Sequence, residues 1–477
     1  MVGTVEPWSD KAAGYRARLL FCQAPGGRNP KGVRLYKKLF VLPILLSAAL
    51  FGQDIYQGPE ILSRGSMDTG QRSGKRVDLR FFADVTGIYD TGFTPLATDS
   101  GGKIVDLGGV YGLQADVGLY GTHSWTRSVL GINYRGDYRD YAKYHALNGT
   151  DQQLELNFQH RFSGRFSLLL REAAGTASYA FGAGSYSAPF NPFIAVPTDQ
   201  IFDSRVTFGQ SGILMVYQKS PRLSFSFGGD GFAVRHKAAG LIGLNGAMAR
   251  GDVAYRLSRR STLSLDYNYT HFEYEGLFGS SDIHSFAAGY SRALTRRWEL
   301  SLRGGAMLIQ TKGLASVAVD PAVAAILGQT TTVSAFYISS VAPVVEARLH
   351  GQFRQSSLDL RAEQSVNPGN GVYLTSVSRD AGVNYSYTGI RKWNFGAHGY
   401  YSRLKSVAQQ IGTYNMYSAG LGGTYSMRHG LHLILELEGR HYNIEGQQNV
   451  FSTFRQNSYR VSVGLGFSPG HIPLSMW

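Results

Sequence analysis

The chain has 477 residues, with 59 Gly, 29 Tyr, 26 Phe and only 15 Pro, a mix that favours strands over helices. Apolar residues make up 43%, enough to exclude a disordered chain. The formal charge is +14, but residues 1–52 carry eight Lys/Arg and two Asp/Glu. What remains has 39 basic and 31 acidic residues, and only eight of the basic ones are Lys. An arginine-dominated balance suits planar hydrogen bonding and ion pairs, and no basic helix or nucleic-acid motif appears, so no nucleic-acid partner is expected.

The first 33 residues carry no capped, periodic pattern, and we expect them to be an upstream extension whose true start is Val33. Residues 34–52 read as a signal peptide. Lys37 and Lys38 give a positive region, Leu39 to Leu50 an apolar one, and Gly52 a small residue before Gln53. The apolar run is too short for a membrane-spanning helix. The single cysteine, Cys22, precedes this leader, so the mature chain has no thiolate for a metal site or a nucleophile. No metal ion or other cofactor is expected.

After a polar lead-in over 53–76, apolar and polar residues alternate with a period of two and keep alternating. In "LNFQHRFSGRFSLLL", Leu156 and Phe158 alternate with Asn157 and Gln159, Ser163-Gly164 breaks the chain, and Phe166, Leu168 and Leu170 resume. Eighteen strands are expected, with sixteen left open: 77–90, 109–121, 126–138, 151–162, 165–177, 204–218, 222–235, 244–257, 261–274, 283–294, 297–309, 341–353, 356–366, 379–388, 392–404, 416–427, 430–442 and 458–468. Most have 11–14 residues. Strands of soluble proteins average about 5–6, whereas a tilted membrane strand needs about 9–11.

The connections fall into two classes. Short turns such as 163–165, 219–222, 295–297 and 427–430 alternate with longer loops such as 91–108, 178–203 and 310–340. A soluble sandwich has no reason to sort its connections this way, whereas an outer-membrane barrel does. The faces agree. Leu431, Leu433, Leu435 and Leu437 oppose His432, Glu436, Glu438 and Arg440, and Val345, Ala347 and Leu349 oppose Glu346, Arg348 and His350. Lipid demands the apolar face, so the charged face must meet water inside. Trp125, Phe162, Phe166, Tyr217, Tyr255, Trp298, Phe353, Tyr387, Trp393 and Tyr425 all sit beside short turns, as an interfacial girdle would.

The expected fold is therefore all-β: a closed antiparallel transmembrane barrel over 77–468, with short periplasmic turns, long extracellular loops and a tail at 469–477. The final stretch "SYRVSVGLGFSPGHIPLSMW" alternates Val461, Val463, Leu465 and Phe467. It resembles the terminal insertion signal of bacterial outer-membrane barrels of the porin type, except that porin-type chains end on the strand itself. The resemblance implies location in the outer membrane of a Gram-negative cell after export through the periplasm. It also implies contact with outer-membrane lipid and lipopolysaccharide, handling by the barrel-assembly machinery, and a possible homo-trimer.

An eighteen-stranded barrel leaves an aqueous channel unless something fills it. The 24 or so residues before the first strand are too few for a globular plug. A porin-like diffusion channel for small hydrophilic solutes or ions is the leading function. The alternative is an adhesin or structural barrel acting through its loops. Pore-lining candidates are Arg135, Asp137, Arg161, Arg171, Arg250, Asp252, Arg256, Arg303, Arg348 and Arg361, with Asp78, Arg80, Asp230, Asp266 and Glu363 on the same phase. Charges of both signs can tune ion preference or merely fix strand register; the surplus of arginine points to mild anion preference. By resemblance to porins, the loop after the fifth strand narrows the lumen. Phe190 and Phe193 would pin it there, Asp199 and Asp203 would charge it, and 310–340 is a second long loop. His271 and His284 are the candidates for catalysis, but no G-x-S-x-G or H-E-x-x-H occurs, and no enzyme is expected.

Overall fold

The computed structural model describes residues 77–91, 108–143, 145, 148–177, 205–238, 241–275, 279–318, 331–369, 371–408, 412–446, 457–468 and 471–474. The strands are β1 (Val77–Asp90), β2 (Val110–Ser124), β3 (Ser128–Tyr141), β4 (Gly149–Arg161), β5 (Phe166–Ala177) and β6 (Val206–Gln218). There follow β7 (Leu223–His236), β8 (Leu244–Arg256), β9 (Ser261–Tyr274), β10 (Gly279–Ala293), β11 (Trp298–Ala318) and β12 (Thr331–Gln352). The last are β13 (Ser356–Asn367), β14 (Ser376–Tyr387), β15 (Trp393–Ser406), β16 (Thr413–Ser426), β17 (Leu431–Glu445) and β18 (Asn457–Phe467), with a short β19 (His471–Leu474). Each strand pairs antiparallel with its sequence neighbour. β1 also pairs with β18, Ala83 opposite Phe467 and Asp90 opposite Arg460, which closes an eighteen-stranded barrel. Closure removes both sheet edges and satisfies the ladder groups that lipid could not.

Two boundaries differ from expectation. The stretch 310–340 is not a plain loop: β11 and β12 run on together for 21 and 22 residues, pairing as far as Ala318 and Thr331. "VDPAVAAILG" lies outside the described residues. The tail is not free of the sheet either. β19 pairs with the start of β1, Leu474 opposite Val77, and extends the closing seam.

The turns explain themselves chemically. Ser163 Oγ accepts from the Phe166 amide (3.1 Å), Ser220 Oγ from Leu223 (3.0 Å) and Thr295 Oγ1 from Trp298 (3.2 Å). A hydroxyl at the first position holds each tight turn, and arginine follows two residues later. At Arg428–Leu431 the two central residues, His429 and Gly430, have φ of 60° and 76°, the paired left-handed geometry that matches strand twist. Aromatic rings cluster at this rim. Phe162 meets Phe166 at 5.4 Å, Trp298 meets Phe353 at 5.4 Å, and Trp393 meets Tyr425 at 4.9 Å between centroids. Six of the ten aromatics expected beside short turns thus meet in pairs.

Register fixes the faces. Leu300, Leu302 and Leu308 share the outer face with Val345, Ala347 and Leu349, while Arg303 opposes Glu346 inside. Gly118 lies on the inner face opposite Phe82, where a Cβ would come within 1.9 Å of the ring, so glycine alone lets Phe82 lie across β2. Glu172, near the middle of β5, is a charged outer position. Glu172 lies opposite Leu156 on one side and Ser211 on the other, and Ser211 Oγ donates to its carboxylate at 2.6 Å. A carboxylate on the lipid face is disfavoured. Glu172→Leu is expected to stabilise the barrel in lipid vesicles by about 1 kcal/mol, read as a higher urea midpoint at unchanged slope; an unchanged or lower midpoint would place Glu172 outside the hydrocarbon.

Candidate functional site

Strand alternation places every described pore-lining candidate on the inner face. Arg135 and Asp137 lie on β3, Arg171 on β5, Arg250 and Asp252 on β8, Arg303 on β11, Arg348 on β12 and Arg361 on β13. Arg161 and Arg256 share that phase but sit at the short-turn ends of β4 and β8; Arg256 donates from Nε to the Ser258 carbonyl at 3.2 Å. Arg80, Asp230, Asp266 and Glu363 also face inward, whereas the side chain of Asp78 lies outside the described set. Phe190, Phe193, Asp199 and Asp203 lie outside the described residues as well.

The inward charges meet across strands. Arg135 Nη2 reaches Asp116 at 3.0 Å, and Arg171 Nη2 reaches Asp230 at 3.2 Å. Arg303 grips Asp266 with both Nε (2.9 Å) and Nη2 (2.5 Å), and Arg348 Nη2 meets Asp359 at 2.9 Å. Arg139 bridges Asp137 (2.8 Å) and Asp151, and Arg205 meets Asp151 from the other side at 3.1 Å. Arg361 Nη2 serves both Glu346 (3.2 Å) and Glu363 (2.8 Å), and Arg440 holds Glu438 at 2.8 Å. Other carboxylates are held by neutral donors. Glu155 accepts from Asn133 (3.2 Å) and Gln153 (2.8 Å), and Asp380 accepts from the Tyr400 hydroxyl (2.8 Å). Asp84 stands directly opposite Asp116 across the β1–β2 ladder. The result is a charged girdle that runs round the lumen at mid-height. The sequence named Asp137, Asp230, Asp252, Asp266 and Glu363 among the acidic lumen positions but not Asp84, Asp116, Asp151, Glu155 or Asp380.

Toward the long-loop end the lining changes character over one arc. Val206 and Phe208 of β6, Phe232 and Val234 of β7, Leu244 and Met248 of β8 and Phe272 of β9 form one buried apolar cluster with Ile283, Met307 and Ile309. What covers it comes from two connections that turn inward. The described residues between β13 and β14, 368–369 and 371–375, are largely buried, and Tyr373 is 0% exposed. Gly369 and Gly371 have φ of 90° and 87°, left-handed values that let the segment reverse tightly. The Tyr274 hydroxyl bonds Thr375 Oγ1 (2.6 Å) and the Pro368 carbonyl (3.3 Å), and Ser281 Oγ meets Thr375 Oγ1 at 2.5 Å. The β7–β8 connection joins in: the Ile242 amide donates to the Gly371 carbonyl at 3.1 Å. Tyr373 faces Tyr414 at 6.1 Å, and Tyr414 stacks on Tyr442 at 6.0 Å. Burial pushes the Tyr373 phenol up to about 12.

The described lumen is thus narrowed by 368–375, which the sequence reading left among ordinary loops. A signal was present: "NPGNGVYLTS" sets Val372, Tyr373 and Leu374 directly after five turn-forming residues. An apolar triplet at a loop tip needs a surface to cover.

His271 and His284 sit on the outer face near the long-loop end. His271 Nδ1 meets Asp282 at 2.9 Å, His284 Nδ1 meets the Tyr267 hydroxyl at 2.8 Å, and the Tyr269 hydroxyl also donates to Asp282, at 2.6 Å.

This architecture defines a porin-like transmembrane β-barrel. No family model matches the chain, and no curated protein matches it. Solved structures do align. A BenF-like porin from Pseudomonas fluorescens Pf-5 is 11% identical, over 82% of this chain and 98% of that one, with a TM-score of 0.42. Pseudomonas aeruginosa OccK2 (OpdF) is 11% identical over 83% and 100%, TM-score 0.41, and Acinetobacter baumannii OccAB3 is 9% identical over 82% and 99%, TM-score 0.38. At this distance the chain's own geometry must carry its functional reading.

Proposed function

We propose that this barrel is an outer-membrane channel for passive diffusion of small hydrophilic solutes or ions. One observation carries the reading: the inner face bears a girdle of guanidinium and carboxylate groups on strand after strand, from Arg135–Asp116 round to Arg440–Glu438. Charges that dense need water beside them, and eighteen strands enclose room for it. The apolar outer face and the aromatic rim fit the outer membrane, with lipid and lipopolysaccharide as surroundings and the barrel-assembly machinery as the route of insertion. A homo-trimer belongs to the same proposal. We assign no catalysis: His271 and His284 serve as polar groups of the outer rim, bonded to Asp282 and Tyr267.

The second reading, an adhesin or structural barrel, is favoured by the inward segment 368–375 and the apolar cluster beneath it, which occupy part of the lumen. Planar-bilayer recording of the purified protein separates the two. Discrete, stable open steps are expected of the channel. A barrel that inserts, as shown by heat-modifiable migration, yet gives no steps would leave the structural reading.

A further inference from the structure

We propose that the outer face of β14 and β15, at the long-loop end, binds the phosphate group of an outer-leaflet lipid. The inference rests on the outer-membrane reading above and not on conduction. Register sets Gln364, Arg379, Arg403 and Asn415 side by side in one outward row. Lys405 stands one row nearer the long loops, between Val377 and Thr413. One row nearer the short turns come Ala381, Tyr401 and Tyr417, with the two tyrosine rings 5.0 Å apart. Arg403 is ten residues along β15 from Trp393 at the short-turn rim. That is about 33 Å along the strand and about 25 Å along a barrel axis at the usual tilt. The apolar band of a transmembrane barrel is about that tall, so the row falls where headgroups begin, next to a pair of aromatic rings.

The row is short of anions. Arg379 and Arg403 are direct partners in the ladder, and like charges so placed repel. Arg379 Nε donates to Gln364 Oε1 at 2.8 Å, and Gln364 Nε2 is itself tied to the Pro343 carbonyl at 3.1 Å. A neutral acceptor thus orients this guanidinium without cancelling its charge. Arg403 reaches Glu445 at 3.5 Å between side chains 37% and 55% exposed, a pair that water weakens. Glu445 is the one carboxylate among the described outward residues of β13 to β17, against three cations. A second observation is independent of charge. Asn415, beside Arg403, is 3% exposed, and its Nδ2 is covered with no acceptor among the described residues. A covered donor without a partner is costly, so this amide calls for an acceptor from outside the described chain. A phosphate monoester offers three acceptor oxygens and about two negative charges. Set between Arg379 and Arg403, it replaces their repulsion with bidentate contacts. A dissolved phosphate ion has the same oxygens, but the tyrosine pair and the apolar band beside it seat acyl chains, which only a lipid brings.

The test is native mass spectrometry of the purified full-length protein released from detergent micelles doped with lipid A. Diphosphorylated lipid A supplies the phosphate, dephosphorylated lipid A supplies the same acyl chains without it, and inorganic phosphate supplies the free anion. The diphosphorylated form is expected to stay bound, with the dephosphorylated form held about tenfold more weakly or less, and with no displacement by excess inorganic phosphate. Arg379→Gln and Arg403→Gln should each weaken binding by about tenfold. Arg403→Lys, which keeps the charge and loses the fork, should fall between. Arg428→Gln, in a short turn, should change nothing. Heat-modifiable migration confirms that each variant is folded, and Arg403→Lys carries the test if Arg403→Gln does not fold. Equal binding of the dephosphorylated form overturns the proposal, because acyl chains alone would then account for it. So does displacement by inorganic phosphate, or binding that the folded Arg379 and Arg403 variants leave unchanged. A chain that does not insert into lipid vesicles strikes the outer-membrane reading instead, so the two failures are distinguishable.

Discussion

Replacing Val372, Tyr373 and Leu374 with a Gly-Ser-Gly linker is expected to raise single-channel conductance by roughly twofold or more, because the aqueous cross-section of a barrel this wide is set by what folds into it. Tyr373 is fully covered, and Val372 and Leu374 pack on the apolar clusters formed by β6 to β16. Without the triplet, nothing apolar holds 368–375 over the lumen, and the segment gains entropy by swinging out. The barrel wall should persist, since β13 and β14 pair from Ser356–Tyr387 to Asn367–Ser376 without help from the segment. Conductance steps in bilayers give the readout, with heat-modifiable migration as the folding control. An unchanged conductance would mean that the segment lies off the conduction path.

Two further perturbations should act in the same direction. Tyr274→Phe deletes the hydroxyl that bonds Thr375 and Pro368, which should give shorter closed intervals rather than a new open level. Alkaline pH should do likewise. The phenol of Tyr373 sits at about 12 when docked, above its ordinary value, so docking favours the neutral form. Its contribution is intact below about pH 10 and is lost as pH climbs toward about 12. Conductance should be level below that window and rise within it. A flat record through pH 12 would show that the ring is not part of the constriction.

The wall of the barrel was legible in the sequence because its physics is local. A period of two, a strand long enough to cross a bilayer and a short turn each occupy fewer than twenty residues. Leu431–Leu437 against His432–Glu438 announces its faces without reference to any other strand. The contents of the lumen were not legible in the same way. Whether Arg361 is a free cation or is shared by Glu346 and Glu363 depends on register between β12 and β13, which alternation does not report. The partners of Glu155 and Asp84, an asparagine, a glutamine and another aspartate, are likewise set by register and side-chain reach. The inward course of 368–375 depends on contacts with Tyr274 and Ser281, about 94 residues or more upstream. Porin resemblance directed attention to 178–203, which lies outside the described residues.

The longest-range consequence of the girdle is for stability. Arg139 has a side chain 3% exposed, and it joins β3 to β4 by binding Asp137 on its own strand and Asp151 on the next. Arg139→Ala would leave two covered carboxylates facing each other, since Asp137 and Asp151 are direct partners in the ladder. Removing one side of a buried charge cluster costs about 3–5 kcal/mol, and the neutral double replacement costs far less. Arg205 still reaches Asp151, so the strain falls chiefly on Asp137. Urea unfolding in vesicles should therefore show a loss of about 3 kcal/mol for Arg139→Ala, mostly restored by adding Asp137→Asn and less so by adding Asp151→Asn. Arg139→Lys, with one ammonium for two carboxylates, should fall between. If Arg139→Ala unfolds at the unmodified midpoint, water already screens this cluster, and the girdle then serves permeation without helping to hold β3 to β4.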